Sequence, residues 1–238
     1  MKLSVNILVF MIAANVFASQ NTNVNAYIEK ALESEKLGQE KDAIGYLTTA
    51  IQLEPNNVVA LTERASLFVI FGDYYNALKD YRTALKVKPS EELYYKTGVA
   101  ELNAGDDEKA IEHLTEAIKL NPQKEFYYFF RGEAEHDLGK YRAAIADFDK
   151  AIKLKPTDYR AIFTRGKCYF NVHEYEKAIN DFTSAEKMYS YNSELYYYRG
   201  SSYFNLSKFE NAISDFTLAI EKNSENHDAL INRAMAYE

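Results

Sequence analysis

Small and large apolar residues follow one another along this chain in a fixed order. Ala43, Leu47 and Ala50 are followed by Ala77, Tyr81 and Ala84, then by Ala110, Leu114 and Ala117. The order continues through Ala144, Phe148 and Ala151, then Ala178, Phe182 and Ala185, to Ala212, Phe216 and Ala219. Steps of four and three residues put each triplet on one face of a helix. The triplets themselves recur every 33 or 34 residues, a period that suits two helices of about 12–14 residues joined by tight turns. Glycine marks the other half of the period. Gly38, Gly72, Gly105 and Gly139 sit where one apolar pattern stops, as expected of left-handed residues ending a first helix. Gly98, Gly132, Gly166 and Gly200, with Ala31, Ala65 and Ala234 at equivalent places, lie inside that helix. Glycine there costs about 0.5–1 kcal/mol relative to alanine, a cost that close approach of a neighbouring helix offsets.

The prolines punctuate the same register. Pro55, Pro89, Pro122 and Pro156 are 34, 33 and 34 residues apart, each after the word A-I-x-L or a close variant, and each stops a helix because it lacks an amide hydrogen. Ser190 and Ser224 replace proline in the last two full units, where Asn192 and Asn226 stand as expected caps of the next helix. The single short interval places the missing residue between Pro89 and Leu93.

Together these positions resemble the tetratricopeptide repeat, most completely in the fourth unit through Tyr128, Gly132, Gly139, Ala144, Phe148, Ala151 and Pro156. Six full units are expected at 24–57, 58–90, 91–124, 125–158, 159–192 and 193–226, with a partial one at 227–238. The first departs from the pattern at Lys30 and Ser34, as an end unit can. The resemblance implies an all-α fold, a right-handed superhelical α-solenoid of antiparallel helix pairs. It also implies that the first helix of every pair lines a concave groove binding a peptide, or a partner's helix or loop.

The N-terminus departs from the repeat. Residues 1–18 combine Lys2, an apolar run from Leu8 to Phe17 and Ala18 at the end, which reads as a cleavable signal peptide; residues 19–23 read as a polar linker. The run is short for a span of about 20 residues and is broken by Ser4, Asn6 and Asn15, so an exported chain without a stable membrane span is expected, in periplasm, cell envelope or medium. A net charge of −7 without a basic cluster argues against nucleic acid as partner. Cys168, the single cysteine, recurs in register with small residues and reads as a packing residue.

Two series are expected to face the groove: Ile28, Thr62, Tyr95, Phe129, Phe163, Tyr197 and Ile231, and, seven residues further along, Val69, Leu102, His136, Phe170 and Phe204. The expected partner-binding residues are Tyr95, Phe129, Phe163, Phe170, Tyr197 and Phe204, joined by the amides Asn103, Asn171 and Asn205. Local backbone bonding is the plainer role for those amides, which precede helix-ending turns. Glu133, His136 and Asp137 share one face, and ion pairing of Glu133 with Lys167 or Arg160 is a plainer reading of it than a metal site. The family's carboxylate clamp, which resemblance places directly after the small Gly/Ala site, is missing: Leu32, Ser66, Val99, Glu133, Lys167 and Ser201 stand there. Asn205-Leu206-Ser207 fits a glycosylation acceptor in a eukaryotic host. No arrangement of nucleophile, base or phosphate loop stands out, so no catalytic, metal or cofactor residue is assigned. The expectation is an exported, non-enzymatic scaffold holding a protein or peptide in an aromatic groove. The alternatives are a glycan- or peptidoglycan-binding envelope module and the targeting half of a larger enzyme. Leu230, Ala234 and Tyr237 continue the buried pattern, so the last helix is expected to carry an apolar far face, either for further repeats or for an oligomer contact through Met235 and Tyr237.

Overall fold

The computed structural model describes residues 23–189 and 192–238, and every regular element in them is a helix. Residues 1–18, expected as a signal peptide, most of the expected linker and Ser190 lie outside the described residues. Two compact units divide the chain, one ending at Asp106 and the other beginning at Asp107.

The first unit holds α1 (residues 23–36), α2 (Glu40–Leu53), α3 (Val58–Ile70), α4 (Tyr74–Val87) and α5 (Glu91–Asn103). Its core is the expected one: Ala43, Leu47 and Ala50 are sealed together with Val24, Ile28 and Ala31, while Ala77, Tyr81 and Ala84 join Leu61, Ala65 and Leu93. Tyr81 carries a hydroxyl into this core and satisfies it against Ser66 Oγ at 3.0 Å. Burial pushes the phenol up to about 12. The link from α4 to α5 is three residues long, 88–90, against four at 54–57. The short proline interval is therefore a loop deletion, with Ser90 capping α5 by accepting from the Leu93 amide.

The second unit holds α6 (Asp107–Leu120), α7 (Glu125–Asp137), α8 (Tyr141–Leu154), α9 (Tyr159–Asn171), α10 (Tyr175–Glu186), α11 (Ser193–Asn205), α12 (Phe209–Lys222) and α13 (His227–Ala236). Each of these helices packs on the next. Phe148, Phe182 and Phe216 are fully buried and explain the helical glycines facing them. A Cβ added to Gly132, Gly166 or Gly200 would come within 3.0, 2.8 and 2.9 Å of the respective ring, so only glycine lets the helices approach this closely. At the helix-ending turns Gly38, Gly72, Gly105 and Gly139 have φ between 69° and 77°, and His173 and Ser207 hold the same left-handed place in the last two full units. Asn192 and Asn226 cap α11 and α13 as expected, accepting from the amides of Glu194 and Leu195 and of Ala229.

A polar ladder accompanies this core. Arg64, Arg131, Arg165 and Arg199 each grip the aspartate sixteen residues on, Asp80, Asp147, Asp181 or Asp215, through Nε and Nη2 at 2.6–2.9 Å. All four aspartates are buried. The forked geometry satisfies both carboxylate oxygens, the condition under which a buried ion pair is tolerated. Each arginine also reaches back sixteen residues, to Thr48, Thr115, Asp149 or Thr183, stitching one helix pair to the preceding one.

Candidate functional site

In the second unit the residues expected to face a partner separate into two groups. Phe129 and Phe163 are core residues, 4% and 9% exposed, with ring centroids 5.9 and 5.8 Å from Phe148 and Phe182. Cations also lie over them, Arg160 at 4.8 Å from the Phe129 ring and Lys167 at 5.7 Å from that of Phe163. Phe170, Tyr197 and Phe204 keep part of their surface. Phe170 meets Tyr198 edge-on at 5.4 Å, and Tyr198 meets Tyr197 edge-on at the same distance, so α9 and α11 present a connected run of rings. Phe170 also touches Tyr175, and Phe204 touches Phe209, each anchored by the start of the following helix. In the first unit Tyr95 is half-buried.

Tyr198 is the centre of the run and was not singled out in the sequence. It stacks over Phe182 at 6.1 Å and lies 5.4 Å under the Lys167 ammonium. Its equivalents one period away, Thr164 and Asn232, differ in kind, so periodicity gives no sign of it.

One of the three amides, Asn205, takes the plainer role. Asn103, Asn171 and Asn205 are each the last residue of a helix, as is Asp137. Asn205 Nδ2 donates to the Ser201 carbonyl at 2.8 Å, one turn back. The acceptor word Asn205-Leu206-Ser207 therefore runs from the last residue of α11 into the turn after it, with the Asn205 amide engaged.

Charges frame the rings. Lys167 Nζ donates to Glu194 at 2.9 Å, and Arg160 to Asp158 at 2.8 Å. Both partners expected for Glu133 are thus engaged elsewhere, which corrects that pairing. Glu133 is left desolvated and close to Asp137, and its carboxyl is pushed up to about 7 although Arg160 and Lys167 act against the shift. Glu135, on the same helix, is also pushed up to about 7 by burial and by Asp147, with Oε2 buried and unpartnered. His136 Nδ1 lies 2.9 Å from Asp137 Oδ1 and its ring meets Tyr141 edge-on. Among the described residues no group of three or more His, Cys, Asp or Glu could hold a metal ion. Cys168 is sealed in the core and its thiol is pushed up to about 12 by burial.

This arrangement of helix pairs is one that known proteins share. A tetratricopeptide repeat model matches residues 62–125 and 163–227, more than half of the chain, another matches 24–57, and a TPR repeat model matches 132–172. The chain belongs to the tetratricopeptide repeat family. Tetratricopeptide repeat protein 6 of Homo sapiens is 27% identical over 109 residues, 46% of this chain and 21% of that protein. Small glutamine-rich tetratricopeptide repeat-containing protein 2 of Mycosarcoma maydis is 29% identical over 97 residues, 40% of this chain and 27% of that one. The match thus spans about a quarter of the length of these relatives. Among solved structures, Pseudomonas aeruginosa pilF superposes with a TM-score of 0.74 at 17% identity, covering 91% of this chain and 99% of that one. A tetratricopeptide repeat protein from Parabacteroides merdae gives 0.73 at 21% identity, covering 90% and 86%. YrrB, described as a TPR protein with an unusual peptide-binding site, gives 0.70 at 20% identity, covering 79% and 97%. These likenesses share the fold. Repeat arrays of this family typically serve as non-enzymatic scaffolds for protein–protein interaction. No helix among the described residues is long and apolar enough to cross a membrane.

Proposed function

We propose that this chain is an exported, non-enzymatic scaffold that holds an extended peptide or a partner's helix against the first helices of its second unit. The observation that carries this reading is the connected run Phe170–Tyr198–Tyr197, partly exposed and backed by core rings, with Lys167 and Glu194 at its edge. Rigid aromatic anchors of this kind commonly dominate recognition because they bring large area at small entropic cost. Export rests on the apolar run that ends at Ala18, with Lys2 before it.

The test is selection of binders from a displayed peptide library, followed by single substitutions. Phe170→Ala, Tyr198→Ala and Phe204→Ala are expected to weaken a selected peptide by about tenfold or more while leaving the melting transition in place. Phe129→Ala and Phe163→Ala are expected to lower the melting temperature instead. Unfolding in all five cases sinks the groove reading. N-terminal sequencing of secreted material starting at Ser19 checks export.

A second reading, binding of a glycan, draws on one feature. A cleft of ≈ 470 Å³ beside Tyr197 and Tyr198 is lined by Asn192, Asn223, Asn226, Glu194 and Asp228, a set of amides and carboxylates beside two rings. A glycan array run alongside the peptide selection separates the two readings.

A further inference from the structure

The ring-lined face of the second unit has one end where charge is left unbalanced. Glu133, His136 and Asp137 share a face of α7 at spacings of three and four. His136 Nδ1 lies 2.9 Å from Asp137 Oδ1 and donates its proton there, so Nε2 of the neutral ring is an acceptor, buried and without a partner. Among the described residues neither Glu133 nor Asp137 has a lysine or arginine within ion-pair distance. The cations that act on Glu133, Arg160 and Lys167, are held by Asp158 and Glu194. This stretch of α7 therefore offers acceptors on every side and is short of a donor.

In the next first helix the same register is balanced. Lys167, 34 residues after Glu133, pairs with Glu194 and lies over the rings of Phe163 and Tyr198. Phe170, 34 residues after His136, opens the run Phe170–Tyr198–Tyr197. Helices α7 and α9 touch, so the acceptors stand one helix spacing, about 8–10 Å, from these rings. Burial first, and Asp137 second, push the Glu133 carboxyl up to about 7. The other charged groups facing it are Arg160, Lys167 and the capping Asp158 of α9, while α8 meets His136 with the Tyr141 ring.

We infer that the peptide held on this face carries a lysine or arginine whose charged end pairs with Glu133 and Asp137, while an apolar side chain close by in the peptide covers Phe170 and Tyr198. This rests on the peptide-binding reading and names the residue that such a partner contributes. An ion pair formed in a partly dry site is stronger than one in water, and rings beside it accommodate the aliphatic stem of either basic side chain. An acidic peptide would instead bring like charge to two carboxylates. An extended peptide advances about 3.3 Å per residue, so the basic residue falls two or three positions from the apolar anchor. Pairing requires Glu133 ionised. With the carboxyl titrating near 7, roughly a tenth is ionised at pH 6 and nine-tenths at pH 8, so affinity rises about tenfold over that interval and levels above it.

The test selects binders from a displayed random-peptide library at pH 8, then titrates resynthesised, fluorescein-labelled binders with the full chain by anisotropy. Binders are expected to carry a lysine or arginine two or three positions from an aromatic or aliphatic residue. Replacing that basic residue by glutamine, and Glu133→Gln in the chain, are each expected to cost about tenfold or more at pH 8, with little further loss when combined. Affinity is expected to fall about tenfold from pH 8 to pH 6 in the native chain and in His136→Gln, and to stay level in Glu133→Gln. Glu133→Lys is expected to prefer the peptide whose basic residue is changed to glutamate. A melting temperature no lower than that of the native chain shows that each variant is folded. Binders without a basic residue, or binding that ignores Glu133→Gln, overturn this inference and leave the scaffold reading standing, whereas a library that yields no binder overturns both. A pH dependence that survives Glu133→Gln and vanishes in His136→Gln also overturns it, by moving the titration to the imidazole.

Discussion

The two units fill the same helix crossing with different pairs of side chains. In the first unit alanine on the first helix, Ala31 or Ala65, shares a core with Leu47 or Tyr81. In the second unit glycine at the same register, Gly132, Gly166 or Gly200, admits phenylalanine. Each crossing is fitted to its own pair of side chains, because interiors are packed to near-crystalline density and respond to a single methyl group. The polar ladder differs too. Among the described residues the first unit has one Arg–Asp fork, Arg64–Asp80, and at the equivalent place of its first pair Lys30 lies 5.6 and 5.9 Å from the rings of Tyr27 and Tyr46. The second unit has three forks. A lysine over rings holds its place by a weak, adaptable contact, whereas a fork fixes the rotation of two helices about each other.

The largest expected effect breaks a fork. Arg165→Met leaves Asp181 buried without its partner and is expected to cost about 3–5 kcal/mol in denaturant unfolding, against less than about 1 kcal/mol for Lys30→Met. Adding Asp181→Leu to the first substitution is expected to restore most of the loss, because the unpaired charge is then gone. Equal losses for Arg165→Met and Lys30→Met would erase the distinction between the units. The volume argument is sharpened by a smaller pair of changes. Gly166→Ala, whose methyl falls 2.8 Å from Phe182 Cε1, is expected to destabilise by about 1–3 kcal/mol. Ala65→Gly is expected to cost about 0.5–1 kcal/mol, and Phe182→Leu combined with Gly166→Ala recovers part of the first loss. The smallest effect concerns pH. Glu133 and Glu135 titrate near pH 7 in the folded chain against an ordinary value of 4.5. Between those values the folded chain keeps protons that the unfolded chain has released, so these groups lower stability as pH rises to about 7 and change it little above. Glu133→Gln and Glu135→Gln are expected to flatten that slope in urea titrations at successive pH values and to stabilise the chain at pH 8 by on the order of 1 kcal/mol each. An unchanged slope in the double variant removes both groups as its source.

Much of the fold was legible because apolar periodicity and glycine placement act locally. Ala43, Leu47 and Ala50 or Ala178, Phe182 and Ala185 declare a helix face by their spacing alone, and Gly139 declares the end of α7 by its conformational freedom. The Arg–Asp ladder was present in the sequence at the same period, but its partners sit sixteen residues apart on different helices, a separation that no single-helix pattern makes visible. The ring-lined face was read less well. Phe129 and Tyr197 occupy the same register, yet Arg160 covers the first while the second stays partly exposed beside Tyr198. Which side of a ring meets solvent depends on the side chain contributed by the first helix of the next pair, as α9 contributes Arg160 over Phe129 of α7, and that is a tertiary fact. The pairing expected for Glu133 failed for a related reason: Lys167 and Arg160 had nearer carboxylates in Glu194 and Asp158.

The single cysteine turns the second unit into its own stopwatch. With Cys168 sealed against solvent and its thiol held protonated by burial, a thiol reagent can reach it only when α9 lifts from its neighbours. Native chain mixed with such a reagent therefore reacts at the pace of that opening, and the reaction curve reads the breathing of the stack from inside without any engineered label.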